Sequence, residues 1–259
     1  MPASHALFPG APRTTPLRFV AGTAVVLAWT ALLSLWAVRA SQAWVPIVAG
    51  LLVTIPLVSL WEWLVHGVLY HGGLPGLDAV RAIHVVGHHA VLFPPKHYVQ
   101  DGPYAFMRFR EPRLPWRMAD NRTDEWLTSW SQIGLHFVTG VPTFILPMWF
   151  LTGSVPLVGS MLATLVVLSW LLAYVHGCIH TPRDRWIEHM RWFQWLDRHH
   201  YIHHIDGRAN INFLLPICDV LLGTLKRELT EREAAAHPTF EQAKPMAKDI
   251  AAIGATFTA

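Results

Sequence analysis

"AWVPIVAGLLVTIPLVSLWEWLVHGVLYH", residues 43–71, carries no charge until Glu62 and then delivers two histidines, His66 and His71. At 1.5 Å per residue, an uncharged helix of about 20 residues spans the roughly 30 Å hydrocarbon layer of a bilayer. Three further runs meet the same test: Phe19–Val38, Gln132–Leu151 and Val155–Val175. Composition agrees, with 53% of residues hydrophobic and 14% charged, against about 25% charged in an ordinary soluble domain. The expected fold is an all-α integral membrane protein with four transmembrane helices, near 19–38, 43–65, 132–151 and 155–175. A short tail (1–16) would precede one membrane domain (17–228), and a polar tail (229–259) would follow it.

Basic residues give the orientation. Of the 20 Lys and Arg, only Arg39 falls between the first and second runs or between the third and fourth. Arg13 and Arg18 precede the first run, seven lie between the second and third, and ten follow the fourth. Positive charge collects on the cytoplasmic side, so both termini and the central loop are expected there. The pI near 9.1 is then a topology signal, and no nucleic-acid partner is expected. Ala37-Val-Arg-Ala40 loosely resembles a signal-peptide cleavage site, but the apolar run exceeds the usual 7–15 residues, favouring a retained helix. Cys178 and Cys218 fit no paired metal spacing, and a cytoplasmic setting disfavours a disulfide.

Eleven of the 16 histidines fall in four short segments. These are "EWLVHGVLYH" (His66, His71), "IHVVGHH" (His84, His88, His89), "YVHGCIH" (His176, His180) and "DRHHYIHHID" (His199, His200, His203, His204). All lie at or just beyond the predicted cytoplasmic ends of the spans, so segments distant in sequence meet at one depth. Residues four apart share a helix face, which pairs His84 with His88, His176 with His180, His199 with His203, and His200 with His204. Adjacent doublets diverge by about 100°, so each member is expected to serve a different ion. His66 and His71 are five apart and diverge in an ideal helix; Gly67, Gly72 and Gly73 suggest that the helix ends or loosens there, letting both turn toward one centre. Ionisable groups near the bilayer are costly unless they pair or coordinate. Eleven imidazoles exceed one coordination sphere and fit two ions. Nitrogen-rich ligation suits iron, zinc, copper or nickel without choosing among them.

These four boxes, with the trailing "NFLLPICDVLLGT" (residues 212–224), resemble the fatty acid hydroxylase superfamily, the membrane-bound sterol desaturase and lipid hydroxylase group. The doublets of the last box and Glu62 ahead of His66 are most similar to its fatty acid 2-hydroxylase branch. Two positions depart from that branch: Val85, Val86 and Gly87 stand where another histidine is usual, and Gly67 stands for a common arginine. The resemblance implies a dinuclear centre, usually iron, that activates O2 and attacks an unactivated C–H bond of a lipid. Electrons would come from a separate reductase or small redox protein, with no bound haem or flavin.

Outside the boxes, Glu62 lies one turn before His66 and would orient it through its ring N–H. Asn212 and Asp219 would act likewise from the closing segment, with a helix-cap role equally open for Asp219. His97 follows a Pro94-Pro95 break, His136 falls in the third run, and His189 lies well before His200. None of the three is counted as a ligand, and neither are the tail residues His5 and His237. The segment Trp186 to Leu196 reads as amphipathic and suited to the membrane surface. The function expected is an oxygen-dependent lipid hydroxylase, with a desaturase on the same scaffold as the alternative. From another class, a metal transporter would need polar groups along the midplane of its spans, and a haem-binding electron carrier would need only two or four facing histidines.

Overall fold

Helix α1 (Pro16–Arg39) starts at Thr15, whose hydroxyl accepts the Arg18 N–H, with Pro16 at the first helical position. Both are favourable there, because the first N–H groups of a helix lack intrahelical partners. The structure, a computed structural model, describes residues 12–72, 75–76, 78–81, 84–85, 88–89, 137–180 and 185–228. His5, His97, His136, His237, the loop around Arg113 and the tail 229–259 lie outside them. The described elements are helical. Helix α2 (Trp44–Trp63) continues without a break into a π-helical segment, Leu64–Tyr70, and a four-residue helix α3 (Asp78–Arg81) follows. An apolar helix over Phe137–Thr152 contains a π segment, Val141–Ile145, and then α4 (Leu146–Thr152). Gly153, at φ 59°, ends α4, a left-handed backbone that glycine adopts without strain. Helix α5 (Val155–His180) begins two residues later. A 3-10 turn (Trp186–His189), α6 (Arg191–Ile205) and α7 (Ile217–Leu222) complete the described elements.

Among the described residues, three helices are long and apolar enough to cross a membrane: Pro16–Arg39, Trp44–Tyr70 and Val155–Ile179. The third expected span, 132–151, is described only from residue 137, and Phe137–Thr152 is shorter than the other three. Helix α2 is central, packing along both α1 and α5. Its contact face is dry: Ala49, Val53, Leu157, Met161 and Leu165 are buried. Gly50 makes the approach possible, since a Cβ there would stand 2.6 Å from the Leu157 carbonyl oxygen. Close packing through small residues is the usual way apolar helices associate when lipid offers no hydrophobic drive.

Pro56 sits inside α2. Lacking an N–H, it leaves the carbonyl four residues back without its helical donor. That carbonyl belongs to Leu52, and the Trp29 indole N–H of α1 donates to it at 3.0 Å. A backbone acceptor that lipid would leave unsatisfied is thus supplied by the neighbouring helix. The outer faces remain apolar and exposed, as at Leu32, Trp36, Phe150, Leu151 and Val167.

Candidate metal centre

The four histidine-bearing segments of the sequence do converge. The π-helical Leu64–Tyr70, the pairs 84–85 and 88–89, the C-terminal end of α5 and the C-terminal half of α6 bring nine histidines together. His71, His88, His89, His200, His203 and His204 are each 2% exposed or less. Their ring nitrogens form two sets. His66, His71, His84, His89 and His203 make one, and His88, His200 and His204 the other, with each set's ligand atoms within 4.8 Å of one another. The sets adjoin, since the His89 ring stacks on that of His204 at 4.1 Å. His176 borders the second set, its Nε2 lying 3.2 Å from that of His200.

Backbone pitch decides which histidines share a set. In an α-helix, residues five apart point about 140° away from one another. The π pattern bonds i to i+5, and the His71 N–H donates to the His66 carbonyl in this way, at 3.2 Å. The two rings consequently lie 5.1 Å apart. The glycines therefore do not end the helix at His66; it widens. The same pitch corrects the expected His84/His88 pairing. Residues 84–85 and 88–89 have π-helical backbone, and His84 shares a set with His89, five residues on, while His88 joins the other. Helix α6 is α-helical, so His200 and His204 do pair as spacing predicts, with Nε2 atoms 3.0 Å apart. The doublets behave as expected: His88 and His89 face different sets, and so do His203 and His204.

His199 departs from its expected role as a ligand. It belongs to neither set. Its Nε2 donates to the Asn212 carbonyl at 2.8 Å and lies 3.2 Å from the Asp219 carboxylate, and its ring stacks on Trp195. His180 closes α5, but its side chain is outside the described part. His189 is exposed in the 3-10 turn.

One short segment, 209–212, holds three of the rings through its main-chain carbonyls. Ala209 accepts from His203 Nδ1 at 2.8 Å, Ile211 from His66 Nδ1 at 2.6 Å, and Asn212 from His199. An imidazole that gives its Nδ1–H to a carbonyl presents the Nε2 lone pair opposite, the form that binds metal. His203 Nε2 is buried with no hydrogen-bond partner. Gly67 admits this segment: a Cβ there would stand 2.7 Å from Pro12 and 3.0 Å from Ile211. The position that carries a common arginine in the resembling family is here the gap through which residue 211 reaches His66.

Glu62, Asn212 and Asp219 hold the segment in place. The spacing of Glu62 and His66 predicts a direct contact between them. Instead Glu62 accepts the Phe213 N–H at 2.6 Å and the Asn212 side-chain amide at 3.3 Å, while His66 Nδ1 is held by Ile211. A carboxylate with four acceptor sites suits backbone donors from a turn better than a single ring N–H. Asp219 is no helix cap either; it accepts the N–H groups of Ile211 and Asn212 and the Thr224 hydroxyl. Ser59 and Asn210 are the residues that sequence reasoning missed. Ser59 Oγ takes the Cys218 N–H and donates to Leu215. Asn210, at φ 52°, ties the His199 carbonyl to that of Lys226. A serine and an asparagine with no histidine neighbour carried no signal in the sequence. Cys178 and Cys218 are buried and not joined in a disulfide, and burial pushes the Cys218 thiol up to about 11.

Comparison with family models, curated proteins and solved structures finds no match to this chain. What the site is able to hold must be argued from its own donors. Burial, and then the neighbouring imidazoles, hold His71, His84, His89 and His203 well below the ordinary histidine value. They are neutral at pH 7, as a ligand must be. Two nitrogens about 2.1 Å from a common ion stand about 3.0 Å apart at right angles and about 3.4 Å apart in a tetrahedron. The Nε2 of His84 is 2.9, 3.1 and 3.2 Å from those of His66, His71 and His89. The donor sets fit transition-metal ions.

Proposed function

We propose that this chain is a membrane-bound, oxygen-dependent lipid hydroxylase with a polyhistidine dimetal centre, a member of the fatty acid hydroxylase superfamily that its histidine boxes resemble. The observation that carries this is the pair of adjoining sets of buried ring nitrogens, each close enough to hold one ion. Five donors on one side and three, bordered by His176, on the other leave coordination positions for a co-substrate. Iron is the metal the resemblance implies, and zinc is compatible with the same donors. Bound there, a redox-active pair would supply the O2 activation that an unactivated C–H bond requires, because side chains have no acid–base route into such a bond.

The residues of the chain do the rest. Ala209 and Ile211 hold His203 and His66 in the tautomer that turns Nε2 inward. Phe213 and the buried ends of α5 and α6 keep water from the nitrogen sets. In the bilayer, Phe137–Thr152 would act with residues 132–136 as a fourth span, and the site and both termini would face the cytoplasm, where a separate electron donor docks. The chain would draw its lipid substrate directly from the membrane.

The test has two parts. Protein purified from iron-supplemented medium should hold two metal ions by elemental analysis; one ion or none would sink the dimetal reading. Lipid mass spectrometry of cells with and without the gene should reveal a lipid that gains one oxygen atom. Loss of two hydrogens instead would identify a desaturase on this scaffold, and an unchanged lipid profile would remove the enzymatic reading.

A further inference from the structure

An open groove of about 500 Å³ runs between α5 and α6, lined by Leu168 and Leu171 of α5, Trp192 and Trp195 of α6, and Leu214 and Leu215 of the closing segment. Its volume falls within the range of small-molecule sites, and every lining side chain is Leu or Trp. One wall is a helix suited to cross a membrane. Val166, Val167 and Trp170 on that helix are exposed, so the groove opens beside a lipid-facing surface. The other wall is the start of α6, where Trp192 and Trp195 are nearly half exposed while Phe193 and Leu196, each the next residue along, are buried. Trp186 and Met190, just before, are exposed as well. Tryptophans in this state belong at the boundary of hydrocarbon and water.

Two ring contacts connect the groove's lining segments to the buried histidines. Leu214 follows Phe213, whose ring packs against His176 and His200, at 5.0 Å from each. Trp195 stacks on His199 at 4.9 Å.

We propose that this groove binds a single acyl chain of a bilayer lipid and leads it along Phe213 toward the set formed by His88, His200 and His204. The occupant is apolar along its length because the lining offers no charged partner, and it comes from the bilayer because one wall is itself a span. The inference deepens the proposed function and rests on it for the fate of the bound chain, but chain binding needs no metal.

The full chain, reconstituted in phosphatidylcholine vesicles doped with a phospholipid bearing a diazirine in its acyl chain, is irradiated and its adducts located by peptide mass spectrometry. Adducts at residues 192–196 and 213–215 should exceed severalfold those at Phe150 and Leu151, which are 81% and 80% exposed and report ordinary lipid contact. Leu171→Trp fills the groove and should lower the groove adducts severalfold while leaving those at Phe150 and Leu151 unchanged. Trp192→Glu, at an exposed position, should do the same by placing a carboxylate in the chain's path. The proposal is overturned if groove adducts are no more frequent than those at Phe150 and Leu151, or if both variants leave them unchanged. Metal content is measured on the same samples. Labelling without bound metal would count against the dimetal centre alone, and bound metal without groove labelling against the groove alone.

Discussion

His199 and His203 are one turn apart on α6, yet their rings do different work. His203 gives Nδ1 to the Ala209 carbonyl and turns an unpartnered Nε2 into the five-membered set. His199 spends its Nε2 on Asn212 and Asp219. The contrast predicts separable phenotypes at matched expression. His203→Ala should lower bound metal by about one ion per chain, the set having lost a donor that no neighbour replaces. His199→Ala should retain metal but leave a buried carboxylate and carbonyl short of a donor, at a cost of about 1–3 kcal/mol in stability. Elemental analysis and denaturation of both variants check this. Equal metal loss in the two would show that His199 is a ligand after all.

At the level of elements, pitch matters as much as spacing. A π turn is an α turn with one residue added, and Leu64–Tyr70 uses that residue to bring His66 and His71 to one side. Deleting Leu69 should therefore be tolerated. The shortened segment can return to α geometry with the two histidines four apart, still on one face. Inserting an alanine at the same point puts them six apart, which no regular helical pitch reunites. The expected result is bound metal near the parental amount in the deletion and clearly reduced in the insertion. The reverse order would mean that the π segment does not position His71.

For the molecule as a whole, burying so many imidazoles as neutral groups makes stability depend on pH once metal is removed. His71, His84, His89 and His203 are held below their ordinary value in the folded chain. Below about pH 6.5 the unfolded chain takes up protons that the folded chain refuses, so stability falls as pH falls through that window. Each such group contributes up to about 1.4 kcal/mol per pH unit. Denaturation of chelator-treated protein in detergent at pH 7.5 and pH 5.5 should show a clearly lower stability at the acid end, and bound metal should oppose the loss by occupying the same nitrogens. A metal-free protein equally stable at both pH values would mean that these histidines are not buried together.

Periodicity and composition determined the helical, membrane-type class of this protein and the histidines that converge. An uncharged stretch such as 43–61 has few options besides a buried or membrane helix, and histidines clustered at helix ends are too costly there to be incidental. The divergence of His88 from His89 and of His203 from His204 followed from the wide angular step between neighbours on a helix, about 100° in the α form. What the tertiary structure alone decided were the partnerships. The α-to-π change that joins His66 to His71, and the sharing of one set by His84 and His89, do not follow from residue spacing. The withdrawal of His199 depends on Asn212 and Asp219, residues with no regular spacing from it. Glu62 acts on the closing segment, 150 residues away, because that turn offers two N–H donors where a single ring offers one. Contacts of this kind are made between distant parts of the chain, and no local pattern encodes them.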